Sequence, residues 1–186
     1  ISFLINQQDS RLTDAAYSTL CTQFIAYVSK PDNQRKISLY SGQVKALANI
    51  NFTYAGKVCT ATVEMLPEIL PDRSAKWTIN TVTTNCFTNI NDSLATNFLT
   101  PNSHETSFIN IKRVSGTSNP LYYFPTTLAT NPTMLFLTES AKGRIQIQNI
   151  EKIAYIITID QWQVTVEEFK RSSGNSGWLI SDIKEL

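Results

Sequence analysis

A single histidine, His104, limits the acid–base chemistry open to this chain of 186 residues. Any Ser-His-Asp or Cys-His relay must run through it. Asn102-Ser103-His104-Glu105 has the spacing of a capping box, with Asn102 accepting from a helix N-terminus and Glu105 reaching back. His104 and Glu105 are therefore expected in structural roles; Ser103 and Ser107 are the nearest hydroxyls, and neither stands in a nucleophile elbow. Carboxylate chemistry in a pocket would draw on Asp160 or Glu64 with a donor among Tyr122, Tyr123 and Tyr155. Asp160 is expected at a hairpin tip, where Asp serves turn geometry. Glu64, flanked by Val63 and Met65, alternates to the opposite, solvated face. These readings assign no catalytic residue. One histidine without a close cysteine pair argues against a zinc site. Neither G-x-x-x-x-G-K-[ST] nor G-x-G-x-x-G occurs, so no cofactor is expected.

Composition sets the class. A 42% hydrophobic and 17% charged chain is globular. No apolar run approaches the ~20 residues of a membrane span, and Ile153 to Ile159 suits a buried strand better. A net charge of +1 provides no field for nucleic acid, and the basic pairs Arg35-Lys36, Lys112-Arg113 and Lys170-Arg171 are scattered. Cys21, Cys59 and Cys86 allow at most one intramolecular bridge. A hairpin centred near residue 70 sets Cys59 opposite a residue near 82, so free, buried thiols are expected. A first residue other than Met and the abundance of Thr, Asn and Ser suggest a processed, extracytoplasmic chain, periplasmic or on the cell surface.

The elements that would position these residues follow from periodicity. Tyr17, Leu20, Cys21, Phe24, Ile25 and Val28 draw one apolar stripe, predicting a helix over 13–29 capped by Thr13 or Asp14 and stopped by Pro31. Ile37 to Tyr40 reads as a short strand. Val44, Ala46, Ala48, Ile50 and Phe52 have period two, Ala55-Gly56 reverses the chain, and Val58 to Met65 returns, ended by Pro67 and Pro71. Trp77 to Phe87 is the next strand. A second helix is expected over 103–114, then Leu121 to Phe124, 144–159, Trp162 to Lys170 and Gly177 to Ile183, with Pro132 to Leu137 an extra helical turn or strand. Lys76-Trp77-Thr78-Ile79-Asn80-Thr81-Val82 and Gly177-Trp178-Leu179-Ile180-Ser181-Asp182-Ile183 share W-x-I-x-x-(V/I). The expectation is an α+β chain of two duplicated halves, 1–100 and 101–186, each a helix on a curved four-stranded antiparallel meander. Trp77 and Trp178 are expected at equivalent, mostly buried positions.

That element order, with its tryptophan strand at Gly177 to Ile183, resembles the cystatin-like and NTF2-like group of folds. His104-Glu105 and the terminal Asn175-Ser176-Gly177-Trp178-Leu179-Ile180 are also similar to exported proteins of Bacteroidetes-type bacteria. The resemblance implies a fold and a compartment, and no activity. A cystatin-type inhibitory hairpin is missing, because Gln161-Trp162-Gln163-Val164-Thr165 has no Gly where Gln-x-Val-x-Gly needs one. The functional expectation is a non-enzymatic exported binding or adaptor module for an unknown protein or small-molecule ligand. The alternative is an NTF2-like binder or enzyme with a pocket between helix and sheet. If a ligand cleft exists, Trp162, Tyr122 and Tyr155 are expected to line it.

Overall fold

The apolar stripe of the first helix meets the sheet as its spacing predicts. In the computed structural model, which describes residues 1–31, 38, 43–87 and 131–186, helix α1 spans Ala15–Val28. Asp14 caps it by accepting from the Ala16 N–H at 2.9 Å. Phe24 and Cys21 are buried, with Tyr17, Leu20, Ile25 and Val28 packed around them.

Strands β1 (Val44–Tyr54), β2 (Lys57–Ile69) and β3 (Ala75–Thr83) form one meander. All five period-two residues of β1, from Val44 to Phe52, are buried. Ala55 and Gly56 take φ 48° and 76°, the positive pair that a two-residue hairpin turn requires. Helix α2 (Pro132–Ala141) settles the ambiguity over Pro132 to Leu137. Asn131 accepts from the Thr133 and Met134 N–H groups, and Pro132 occupies the first turn, where its missing N–H costs nothing. Strands β4 (Ile145–Ile159), β5 (Trp162–Phe169) and β6 (Gly177–Glu185) make the second meander.

Two expectations about this architecture are overturned. The chain does not form two halves, each a helix on a four-stranded meander in the cystatin-like or NTF2-like manner. The strands make one six-stranded antiparallel sheet, ordered β3-β2-β1-β4-β5-β6, with two short helices. A three-stranded meander ends in an unpaired backbone edge, and here the β1 and β4 edges satisfy each other. The shared W-x-I-x-x-(V/I) pattern marks the two outermost strands, β3 and β6, and is no sign of duplication. The strands expected at 37–40 and 121–124, the helix at 103–114 and the boundary at 100/101 lie outside the described residues, except Ser38, which is not in a strand.

The second correction concerns the cysteines. Cys59 and Cys86 form a disulfide, with Cα atoms 6.0 Å apart. Strand β2 runs through Pro67 to Ile69, which moves the reversal to Leu70–Ser74. The contacts Leu70–Ser74, Glu68–Lys76, Leu66–Thr78, Glu64–Asn80 and Thr60–Thr84 are all centred on Asp72. Cys59 therefore faces position 85, next to Cys86. Pro67 does not end the strand. Counted back from the Ala55–Gly56 turn, it lies beside Val44, the first residue of β1, where that ladder stops and no N–H is needed.

The described residues fall into two compact units. The first comprises residues 1–31, 38, 43–49, 63–80 and 150–186. Its core joins Phe24 and Cys21 of α1 to Trp162, Val164, Ile180 and Ile183 of β5 and β6, with Ile5 of the amino-terminal segment. The second comprises residues 50–62, 81–87 and 131–149. There Phe52 meets Phe136 edge-on at 5.6 Å and Phe87 at 6.3 Å. Glu139 of α2 is buried and bound by two nitrogens of Arg144 at 2.5 and 2.6 Å.

Candidate functional site

The apolar faces of α1 and of β4–β6 do not close completely in the first unit. They leave a cavity of about 310 Å³. Phe24, Tyr27 and Val28 contribute from the last two turns of α1, where the stripe runs out against the sheet. Ile157 and Ile159 contribute from β4, and Val164 and Val166 from β5. Register fixes this floor, because Ile157 pairs with Val164, Tyr155 with Val166, and Val166 in turn with Ile180. A bulge between Thr165 and Val166 shifts β6, so that Ile180 and Ile183 both face the core. Trp178 and Ile180 of β6 and Ile1 and Leu4 complete the lining.

The amino-terminal segment is fastened beside this cavity. The Asn6 N–H donates to the Ile180 carbonyl at 2.9 Å. Arg11 bridges Asp9 and Asp182, both at 2.7 Å, donates to the Ser181 carbonyl at 2.6 Å and stacks 4.3 Å above the Tyr17 ring. Burial pushes the Tyr17 hydroxyl up to about 12, so it stays protonated. Burial also pushes the free Cys21 thiol up, which removes it as a nucleophile at neutral pH.

Among the described residues of the lining, Tyr27 and Asp160 bring a hydrogen-bonded pair of oxygens to the cavity. The Tyr27 hydroxyl donates to Asp160 Oδ2 at 2.5 Å, joining the last turn of α1 to the β4–β5 reversal. Asp160 has φ 51°, so it serves the turn as its sequence position implies. It also lines the cavity, which turn chemistry alone does not reveal.

Beyond Trp178 lies a second, more polar groove of about 270 Å³, floored by Ile150–Ile153 of β4 and by Glu168 and Lys170. Trp178 belongs to both linings and pairs with Glu168 across β5–β6. Its ring lies 5.1 Å from Tyr155, which lies 6.1 Å from Trp77. Trp77 and Trp178 are 40% and 44% exposed, contrary to the buried positions expected of them. Both stand on the outermost strands of the sheet, β3 and β6.

The residues anticipated for a cleft fare differently. Tyr155 lies beside the cavity in the aromatic row with Trp178. Trp162 is 3% exposed and packs edge-on against Phe24 at 5.5 Å, in the core and not in the cavity wall. Its indole Nε1 is buried without a hydrogen-bond partner among the described residues. Tyr122, Tyr123 and His104 lie outside the described residues. Glu64 lies away from the cavity, paired with Lys45 Nζ at 2.7 Å and accepting from Asn80 at 2.8 Å. Tyr27 and the apolar floor escaped notice because helix and strand periodicity mark such residues as core, without showing where packing stays open.

Among the described residues no three His, Cys, Asp or Glu side chains gather to hold a metal, and no helix is long and apolar enough to cross a membrane. No family model matches the chain, and no curated protein or solved structure is significantly similar to it.

Proposed function

We propose that the protein is an exported binding module that takes an apolar small molecule into the cavity between α1 and β4–β6. One observation carries this reading: a concave, mostly aliphatic and aromatic lining that includes, among the described residues, the hydrogen-bonded polar pair Tyr27–Asp160. Ligand sites have that character, since apolar walls supply the driving force and a few polar groups fix orientation. The reading replaces a helix-and-meander pocket with one built on a six-stranded sheet. Export is supported by the Cys59–Cys86 disulfide, because such bonds persist in oxidising compartments.

The environment-sensitive dye N-phenyl-1-naphthylamine tests the cavity directly. Its fluorescence should rise and saturate on titration with the protein. Val28→Phe projects a ring into the space and should weaken binding by roughly tenfold, about 1.4 kcal/mol, with a thermal unfolding curve confirming that the variant folds. No saturable dye binding, or binding indifferent to Val28→Phe in a folded protein, overturns the proposal.

A further inference from the structure

The apolar cavity and the polar groove meet at one side chain, Trp178. Strand register places them in line. On β5 and β6, Val166–Ile180 is followed by Glu168–Trp178, then by Lys170 just past the end of β5. The surface thus runs from aliphatic floor, over an indole, to carboxylate and ammonium groups.

Resting on the binding role proposed above, we infer that the ligand is an amphiphile with a neutral, hydroxyl-rich head, a glycoside of an apolar alcohol. Its tail lies in the cavity and its sugar over Trp178, in the groove. Three features select that head. The groove carries Glu151 and Glu168 together with Lys152 and Lys170, and Lys152 is paired with Glu167 at 2.9 Å, so the two signs are interspersed and no cluster of one sign is there to select an ion. Glu168 and Lys170 Nζ stand 3.3 Å apart, an acceptor beside a donor, which suits hydroxyls that do both. The half-exposed indole presents an apolar face edged by polar groups, complementary to a pyranose with its C–H face and equatorial hydroxyls.

The test is displacement of the naphthylamine dye by three amphiphiles sharing a dodecyl chain, each below its micelle concentration: dodecyl maltoside, dodecanoate and dodecylphosphocholine. Dodecyl maltoside should bind roughly tenfold or more tightly than the other two. The double variant Glu168→Ala with Lys170→Ala removes one charge of each sign from exposed positions outside the cavity. It should leave dye affinity unchanged and bring dodecyl maltoside to the level of dodecanoate. Equal affinities of the three amphiphiles in a dye-binding protein, or a maltoside preference that survives the double variant, overturn this inference and leave the binding role standing. Failure of the dye itself to bind overturns the binding role first.

Discussion

The three tryptophans have different work, although Trp77 and Trp178 share one sequence setting. Trp162 is sealed beneath α1 by Phe24 and Tyr27, while Trp77 and Trp178 keep two-fifths or more of their surface in solvent. Removing a fully buried indole costs its burial and leaves a cavity, so Trp162→Ala should lose about 3–5 kcal/mol. Part of that is returned because Nε1 is buried without a partner among the described residues, and an unmet donor is itself costly. Trp178→Ala forfeits roughly half as much burial and should cost under ~2 kcal/mol. Urea denaturation of both variants checks the ordering, and equal losses would show that exposure is a poor guide at these positions. The asymmetry matters for the proposed binding role, which puts the half-exposed indole between the apolar cavity and the polar groove in contact with the ligand.

Between elements, the informative joint is the β2–β3 hairpin. Its centre at Asp72 depends on how far β2 continues past Pro67, and a displacement of the centre by two residues decides whether Cys59 can reach Cys86. The bond closes a loop with a sequence separation of 27 residues. Constraint of the unfolded chain by such a loop contributes about 3–4 kcal/mol. Reduction by dithiothreitol, or Cys59→Ser, should therefore lower the unfolding free energy by that amount, read in guanidinium melts with and without reductant. Because Cys59 and Cys86 belong to the second unit and the cavity to the first, dye binding should survive reduction under conditions where the protein stays folded. Loss of stability below ~1 kcal/mol would mean that the reduced chain is already held by the packing around Phe52.

Across the molecule, several carboxylates are tied into the native state. Arg11 hydrogen bonds hold Asp9 below its ordinary range, and the Lys45 hydrogen bond, then that of Asn80, does the same for Glu64. Burial pushes Glu139 up, but the hydrogen bonds and charge of Arg144 outweigh it and leave its value lowered. A depressed folded value means stability that is present above the unfolded pKa, about 3.9 for Asp and 4.3 for Glu, and lost as pH falls through the folded value. The melting temperature should be flat near neutrality and decline once pH drops below ~4.3. Glu139→Gln should lower stability at pH 7 and flatten the acid limb, since it removes the charge that Arg144 binds. A melting temperature independent of pH between about 5 and 2.5 would contradict the carboxylate assignments.

Local pattern determined the local structure. The i, i+3, i+4 stripe with a cap at Thr13 or Asp14 defined α1, period two defined β1, and Ala55-Gly56 and Asp160 marked the β1–β2 and β4–β5 reversals. Each of these is a property of a few neighbouring residues, so it is written within a short window of sequence. Which strand edges meet is not. Two meanders with unpaired edges can cover them in more than one way, and the W-x-I-x-x-(V/I) repeat reads as duplication until β1 and β4 are seen to join. The cavity is further still from the sequence. Tyr27 and Asp160 are 133 residues apart, and only the packing of α1 across β4 and β5 brings them together. Apolar periodicity specifies which side chains leave water. Whether they close on one another or leave room for a ligand depends on the angle and register of packing, which the tertiary structure alone decides.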